Sequence, residues 1–136
     1  MKITSEHFDA GDSLLRITLE GSFSLAEAQL RFIDMLDGVV KHQAKKVLLD
    51  GRAIAGELGV LHRYLYGEFV GKVTAAVADH GLAQAPQFAY VLVEPVLDPG
   101  RVGQAAALTR GMKVKTFDNI GEAERWLQLV DQPSAH

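Results

Sequence analysis

The chain has 136 residues and a mass of 14.8 kDa, the size of one domain able to bury its own core. Apolar residues make up 48% and charged residues 23%, and 17 acidic side chains against 14 basic ones leave a net charge of -3, without the basic excess of a nucleic-acid binder. There is no cysteine, which excludes disulfides, thiolate metal sites and cysteine nucleophiles. No window reaches the roughly 18 continuous apolar residues of a membrane span, and the charged, alternating opening MKITSEHFDA does not read as a signal peptide. The composition points to a soluble, cytoplasmic protein.

The segment from Ile3 reads as a strand, and Ala10 to Ser13 form a turn cluster. Leu14 to Glu20 alternate, with Leu15, Ile17 and Leu19 on one face, so the two strands read as a hairpin. Ser24-Leu25-Ala26-Glu27 is a capping box at the start of a helix. Leu25, Ala28, Phe32, Met35, Leu36 and Val39 then recur at helical steps, and the pattern ends near Val40 to His42. Lys46 to Asp50 are apolar without alternation, as in a strand buried on both faces, and Gly51-Arg52 reads as a break.

A second helical stretch runs from about Glu57 to His80, with Leu58, Leu61, Leu65, Phe69, Val73 and Val77 on one face. Phe88 to Val93 form another strand candidate. Glu94 to Gly100 are a loop, since Pro95 and Pro99 exclude a central strand. Arg101 to Arg110 read as a helix closed by Gly111, Lys113 to Phe117 as a strand, and Asn119 as the cap of a last helix. Ala123, Trp126, Leu127 and Val130 should face inward there. One domain over 1–130 is expected, with 131–136 as a disordered tail. The order ββαβαβαβα predicts an α/β fold: a mixed five-stranded sheet with four flanking helices, its first strand antiparallel at an edge.

This arrangement resembles the SpoIIAA-like family within the STAS-type fold. Lys46-Val47-Leu48-Leu49-Asp50-Gly51-Arg52 is similar to that family's third strand and its exit. Thr109-Arg110-Gly111, Val114 to Phe117, and Glu122-Ala123 through Trp126-Leu127 are similar to its C-terminal third. The resemblance implies a non-catalytic regulatory or protein-interaction module. Anti-sigma-factor antagonists of this type carry a phosphorylatable serine after the third strand, in a D-x-S-G context. Here Asp50 is followed by Gly51, Arg52 and Ala53, so a phosphoserine switch of that kind is not supported.

Ligands of open parallel sheets sit beyond the carboxyl ends of the strands. Asp50, Arg52, Arg63 and Glu94 are expected there. They read either as a polar pocket for an anionic ligand or a partner's carboxylate, or as a structural ion-pair network, the preferred account. In the second long helix, Tyr64, Tyr66 and Val70 fall off the Leu61-Leu65-Phe69 face. Gly67, Gly71 and Ala75 form a strip of small residues. The strip reads as a dimer surface, as one wall of an apolar groove, or as close packing on a neighbouring helix. The five histidines show no ligand spacing, no nucleotide or G-x-S-x-G motif is present, and Lys45-Lys46 and Lys113-Lys115 read as solvated strand ends. No cofactor, metal or catalytic residue is assigned. The leading expectation is a homodimer or protein-binding module using Arg52, Arg63, Tyr64, Tyr66 and Val70. The alternative is a carrier or sensor of a small apolar or lipid-like ligand held between the second and third helices. An enzyme using Asp50 and Glu94 as acid and base is the third reading.

Overall fold

A computed structural model describes residues 1–8, 13–82, 84–98 and 100–129. The chain runs β1 (Lys2–Phe8), β2 (Leu14–Ser22), α1 (Leu25–His42), β3 (Lys46–Ala55), α2 (Val60–Gly81), β4 (Gln87–Val91), α3 (Val102–Thr109), β5 (Lys113–Phe117) and α4 (Ile120–Trp126). The five strands lie side by side in chain order, β1 antiparallel to β2 and the others parallel. The predicted order of elements and the antiparallel edge strand are both present. The turn cluster before Ser13, Val130 and the tail from 131 lie outside the described residues.

Side-chain alternation along the strands divides the core into two layers. Leu15, Ile17, Leu19, Val47, Leu49, Phe88, Tyr90 and Val114 face α1, α2 and α3. Leu14, Leu48, Ala89, Val91 and Phe117 face α4, whose Ala123 packs there with Leu127 just beyond it. Strands β3 and β4 are covered on both sides, which explains their unbroken apolar runs. Helix α1 presents Ala28, Phe32, Met35, Leu36 and Val39 to the first layer, as its periodicity predicts. Burying one such large side chain contributes about 1.5–3 kcal/mol.

The caps follow the sequence closely. Ser24 Oγ accepts the Glu27 N–H at 3.3 Å, and Asn119 Oδ1 accepts the Glu122 N–H at 3.0 Å. The Glu27 carboxylate does not return to the Ser24 cap; it pairs with the amine of Met1, which holds it below the usual carboxylate range. Gly111 takes a φ of 86° just past α3, the left-handed turn that glycine permits without strain. The lysine expectation divides. Lys113 and Lys115 are exposed on the edge strand β5, whereas Lys46 is buried at the start of β3.

Two contacts were outside the reach of sequence spacing. Arg16 on β2 meets Glu124 on α4 at 3.1 Å, both largely buried, and fastens α4 to the sheet. His7 stacks on His42 with ring centroids 3.9 Å apart, and its Nε2 lies 2.8 Å from Ser13 Oγ.

Gly51-Arg52 is not the end of β3. Thr18 pairs with Asp50 but Glu20 pairs with Ala53, so β3 carries one extra residue against β2 and then continues to Ala55. This is a β-bulge, which bends a strand and resets which face its side chains take. Gly51 sits at the bulge because a Cβ there would lie 2.7 Å from Leu92 Cδ2 and 3.0 Å from Ile54 Cδ1.

Candidate functional site

The carboxyl ends of β3, β4 and β5 open into a cavity of about 110 Å³ between the sheet and the helices α2 and α3. Its floor includes Leu49, Tyr90 and Val114, and the bulge in β3 turns Ile54 towards it. Its helical wall carries Arg63, Tyr66, Gly67 and Val70, and the loop after β4 contributes Asp98.

The predicted charged cluster is split between the two sides of the sheet. Asp50 shares the parity of Leu48, so it lies on the α4 side, away from the cavity. Its carboxylate is gripped by Arg52, with Nε at 2.9 Å from Oδ1 and Nη2 at 2.8 Å from Oδ2. That bond holds the Asp50 carboxyl below its ordinary range and raises the Arg52 guanidinium. Arg63 belongs to the cavity side. Its Nε donates to Leu58 O at 3.1 Å and its Nη2 to Pro95 O at 2.7 Å, tying α2 to the loop after β4. Glu94 is exposed and makes no ion pair among the described residues. The ion-pair account therefore fits Asp50 and Arg52, while Arg63 is held by carbonyls at the rim of the cavity.

Helix α2 is turned about its axis relative to the sequence expectation. Its buried residues are Gly67, Val70, Gly71 and Thr74. Val70 is only 2% exposed, and Tyr66 reaches Tyr90 with the two hydroxyls 3.0 Å apart. Tyr66 and Val70 are thus inward residues on the cavity wall. Leu61 and Leu65, expected in the core, are 65% and 38% exposed, beside Val60 at 69% and Tyr64 at 45%. The glycines explain the rotation. A Cβ on Gly67 would lie 2.8 Å from Gly103 Cα and closer still to the Gly103 carbonyl, and one on Gly71 would lie 3.0 Å from Ala107 O. Gly67 and Gly71 lie where α3 crosses α2, so helix packing accounts for the two glycines of the strip, whereas Ala75, its third member, is exposed. Arg110, at the end of α3, pairs with Glu68 and fastens that end to α2.

The exposed stripe of Val60, Leu61, Tyr64 and Leu65 is the feature that the helical pattern did not place. The signal was present: Gly67, Val70, Gly71 and Thr74 recur at helical steps, and small residues mark the face another backbone approaches. Tyr64 is steadied by its hydroxyl, which donates to Glu68 Oε2 at 3.0 Å, leaving the ring outward.

No family model matches the chain, and no curated protein matches it. Among solved structures it is similar to the crystal structure of an anti-sigma factor antagonist from Mycobacterium paratuberculosis. The TM-score is 0.53 at 16% sequence identity, covering 93% of this chain and 95% of that one. The chain therefore has the STAS-type α/β fold that its order of elements predicts. No helix among the described residues is long and apolar enough to cross a membrane.

Proposed function

We propose that the protein is a non-catalytic interaction module of the STAS type. Its docking face is the first two turns of α2, and its first partner is a second copy of the chain. One observation carries the reading: Val60, Leu61, Tyr64 and Leu65 form one contiguous outward stripe of large apolar side chains. Such patches on a soluble surface mark protein interfaces. The adjacent Glu68 carboxylate is already neutralised by Arg110, so a second copy meets little charge of its own sign across a two-fold axis. The Asp50–Arg52 pair, being internally satisfied, supports the strand beside the docking helix rather than offering a free charge. The fold shared with an anti-sigma factor antagonist supports a regulatory role for such docking.

Leu61→Asp tests the reading by sedimentation velocity. The variant should run as monomer with an unchanged far-UV spectrum, while the unaltered protein runs as dimer. Identical sedimentation of the two proteins would remove the stripe from the account.

The cavity supports a second reading, a carrier or sensor of a small ligand. Tyr66 and Val70 line it at the end of the sheet where open parallel sheets take their ligands. Its volume of about 110 Å³ is below the roughly 150 Å³ that houses benzene in an engineered cavity, so a long lipid chain does not fit.

A further inference from the structure

The sheet ends in two edge strands, β1 and β5, and the two edges differ. Main-chain groups alternate in direction along a strand, so one hydrogen bond settles the direction of the rest. On β5, Phe117 O accepts the Leu92 N–H from just past the end of β4. The odd-numbered residues of β5 therefore turn inward, and Val114 and Thr116 turn to the edge. The Thr116 N–H is already taken by Gln104 Oε1 at 2.7 Å. Lys113 and Lys115 carry one sign of charge, which repels a second copy of the same edge.

On the other side of the sheet, the Lys46 N–H reaches Ser13 O. The odd-numbered residues of β2 therefore bond β3, and the even-numbered ones bond β1. In the register of the hairpin, Lys2, Thr4 and Glu6 turn their main-chain groups to β2, while Ile3 and Ser5 turn theirs to the open edge. The side chains of Lys2, Thr4 and Glu6 share one exposed face. There Lys2 lies 3.7 Å from Glu20, and Glu6 stands opposite Arg16.

We propose that two copies of the chain pair through β1, antiparallel about a two-fold axis at Thr4, and so join their sheets. The run Lys2-Ile3-Thr4-Ser5-Glu6 is its own complement in that register. Lys2 lies beside the partner's Glu6, Thr4 beside the partner's Thr4, and Glu6 beside the partner's Lys2. These are the close pairs of an antiparallel ladder, where side chains meet most directly. Charge then alternates across the joint, from Glu20 through Lys2 to the partner's Glu6 and the partner's Arg16. An axis at Ser5 would set Lys2 beside the partner's Phe8 and match no charge. The opposite face of β1 fits the same register. A cavity of about 120 Å³ lies between β1, β2 and α1, lined by Ile3 and Ser5 with Leu15, Ile17 and Met35. The partner's Ile3 stands beside Ser5 there and adds apolar cover. Roughly four main-chain hydrogen bonds form, so the pairing is weak and expected near about 1 mM protein. It is independent of the docking stripe on α2. A chain that uses both faces carries two different two-fold contacts, which link dimers into larger assemblies.

The test uses the Leu61→Asp protein, so that the stripe contributes nothing, and follows its amide spectra from about 50 μM to about 2 mM. The amides of Ile3 and Ser5 should move with concentration and exchange more slowly with solvent, while that of Val114 on the other edge stays. Lys2→Glu and Glu6→Lys, each in the same background, should abolish the movement, because each sets like charges side by side in both pairs. An equimolar mixture of the two, one of them labelled, should restore it, because the mixed pair sets glutamate beside lysine twice. Each substitution also places a like charge against Glu20 or Arg16 in its own chain. Restoration on mixing is a result that such a loss of stability does not produce. Fixed amide positions at every concentration, or a mixture no different from its components, would overturn the edge pairing. Neither result touches the α2 stripe, which the sedimentation of the unaltered protein decides.

Discussion

Gly67→Ala pits two opposing effects against each other in one helix. Alanine is the better helix former, by about 1 kcal/mol at an interior position. The added methyl, however, would press on the backbone of Gly103, 2.8 Å from its Cα and nearer to its carbonyl. Overpacking of this kind costs about 1–3 kcal/mol, and a backbone neighbour that cannot rotate away puts the cost at or beyond the upper end. The expected net loss is about 2 kcal/mol, a fall in melting temperature of about 6 °C for a chain of this length. Gly81→Ala supplies the comparison in the same helix. A Cβ there meets only Val40 methyl groups at 3.5 and 3.7 Å, an ordinary contact, so propensity should win and stability should stay or rise. Both variants are read by urea denaturation and thermal melting against the unaltered protein. A Gly67→Ala protein as stable as Gly81→Ala would refute the crossing of α2 and α3 through that glycine. It would also reopen the small-residue strip as a free surface.

Three further outcomes follow from the same geometry. Glu124→Gln should lower stability by about 1–3 kcal/mol, because it removes the charge of one partner from the largely buried Arg16–Glu124 pair; an unchanged urea midpoint would show that the pair does not fasten α4 to the sheet. Gly111→Ala forces a side chain into a φ of 86° and should destabilise by about 1 kcal/mol although no neighbour lies within 4 Å, which separates backbone strain from crowding. Asp50 has its carboxyl lowered by the Arg52 hydrogen bond. Its contribution is therefore fully present above about pH 4 and is lost as the pH falls through the lowered value. Asp50→Asn should flatten that part of the acid-unfolding curve, and an unaltered acid limb would contradict the pairing.

The fold was readable because its signals are local and redundant. Ser24 and Asn119 announce their helices, Gly111 ends one, and the apolar runs at Lys46 to Asp50 and Phe88 to Val91 require cover on both faces. The site was readable only in part. Asp50, Arg52 and Arg63 are close in sequence, yet the sheet separates the first two from the third, and parity along β3 decides that rather than spacing. The β-bulge was read as a strand end because glycine and arginine look like a break when the partner strand is unseen. Helix α2 is apolar around most of its circumference, so periodicity did not fix its rotation. The packing of Gly67 and Gly71 on α3 did, and it turned Leu61 and Leu65 outward and Tyr66 and Val70 inward. The Tyr66–Tyr90 pair joins residues 24 apart, and no local pattern announces it.

The central claim is that the exposed face of α2 joins two copies of the chain. Light scattering on the unaltered protein as it elutes from a sizing column, repeated over a dilution series, tests it most directly. The account predicts a mass twice 14.8 kDa at the concentrated end, falling towards the single-chain mass on dilution. A single-chain mass at every concentration would contradict it.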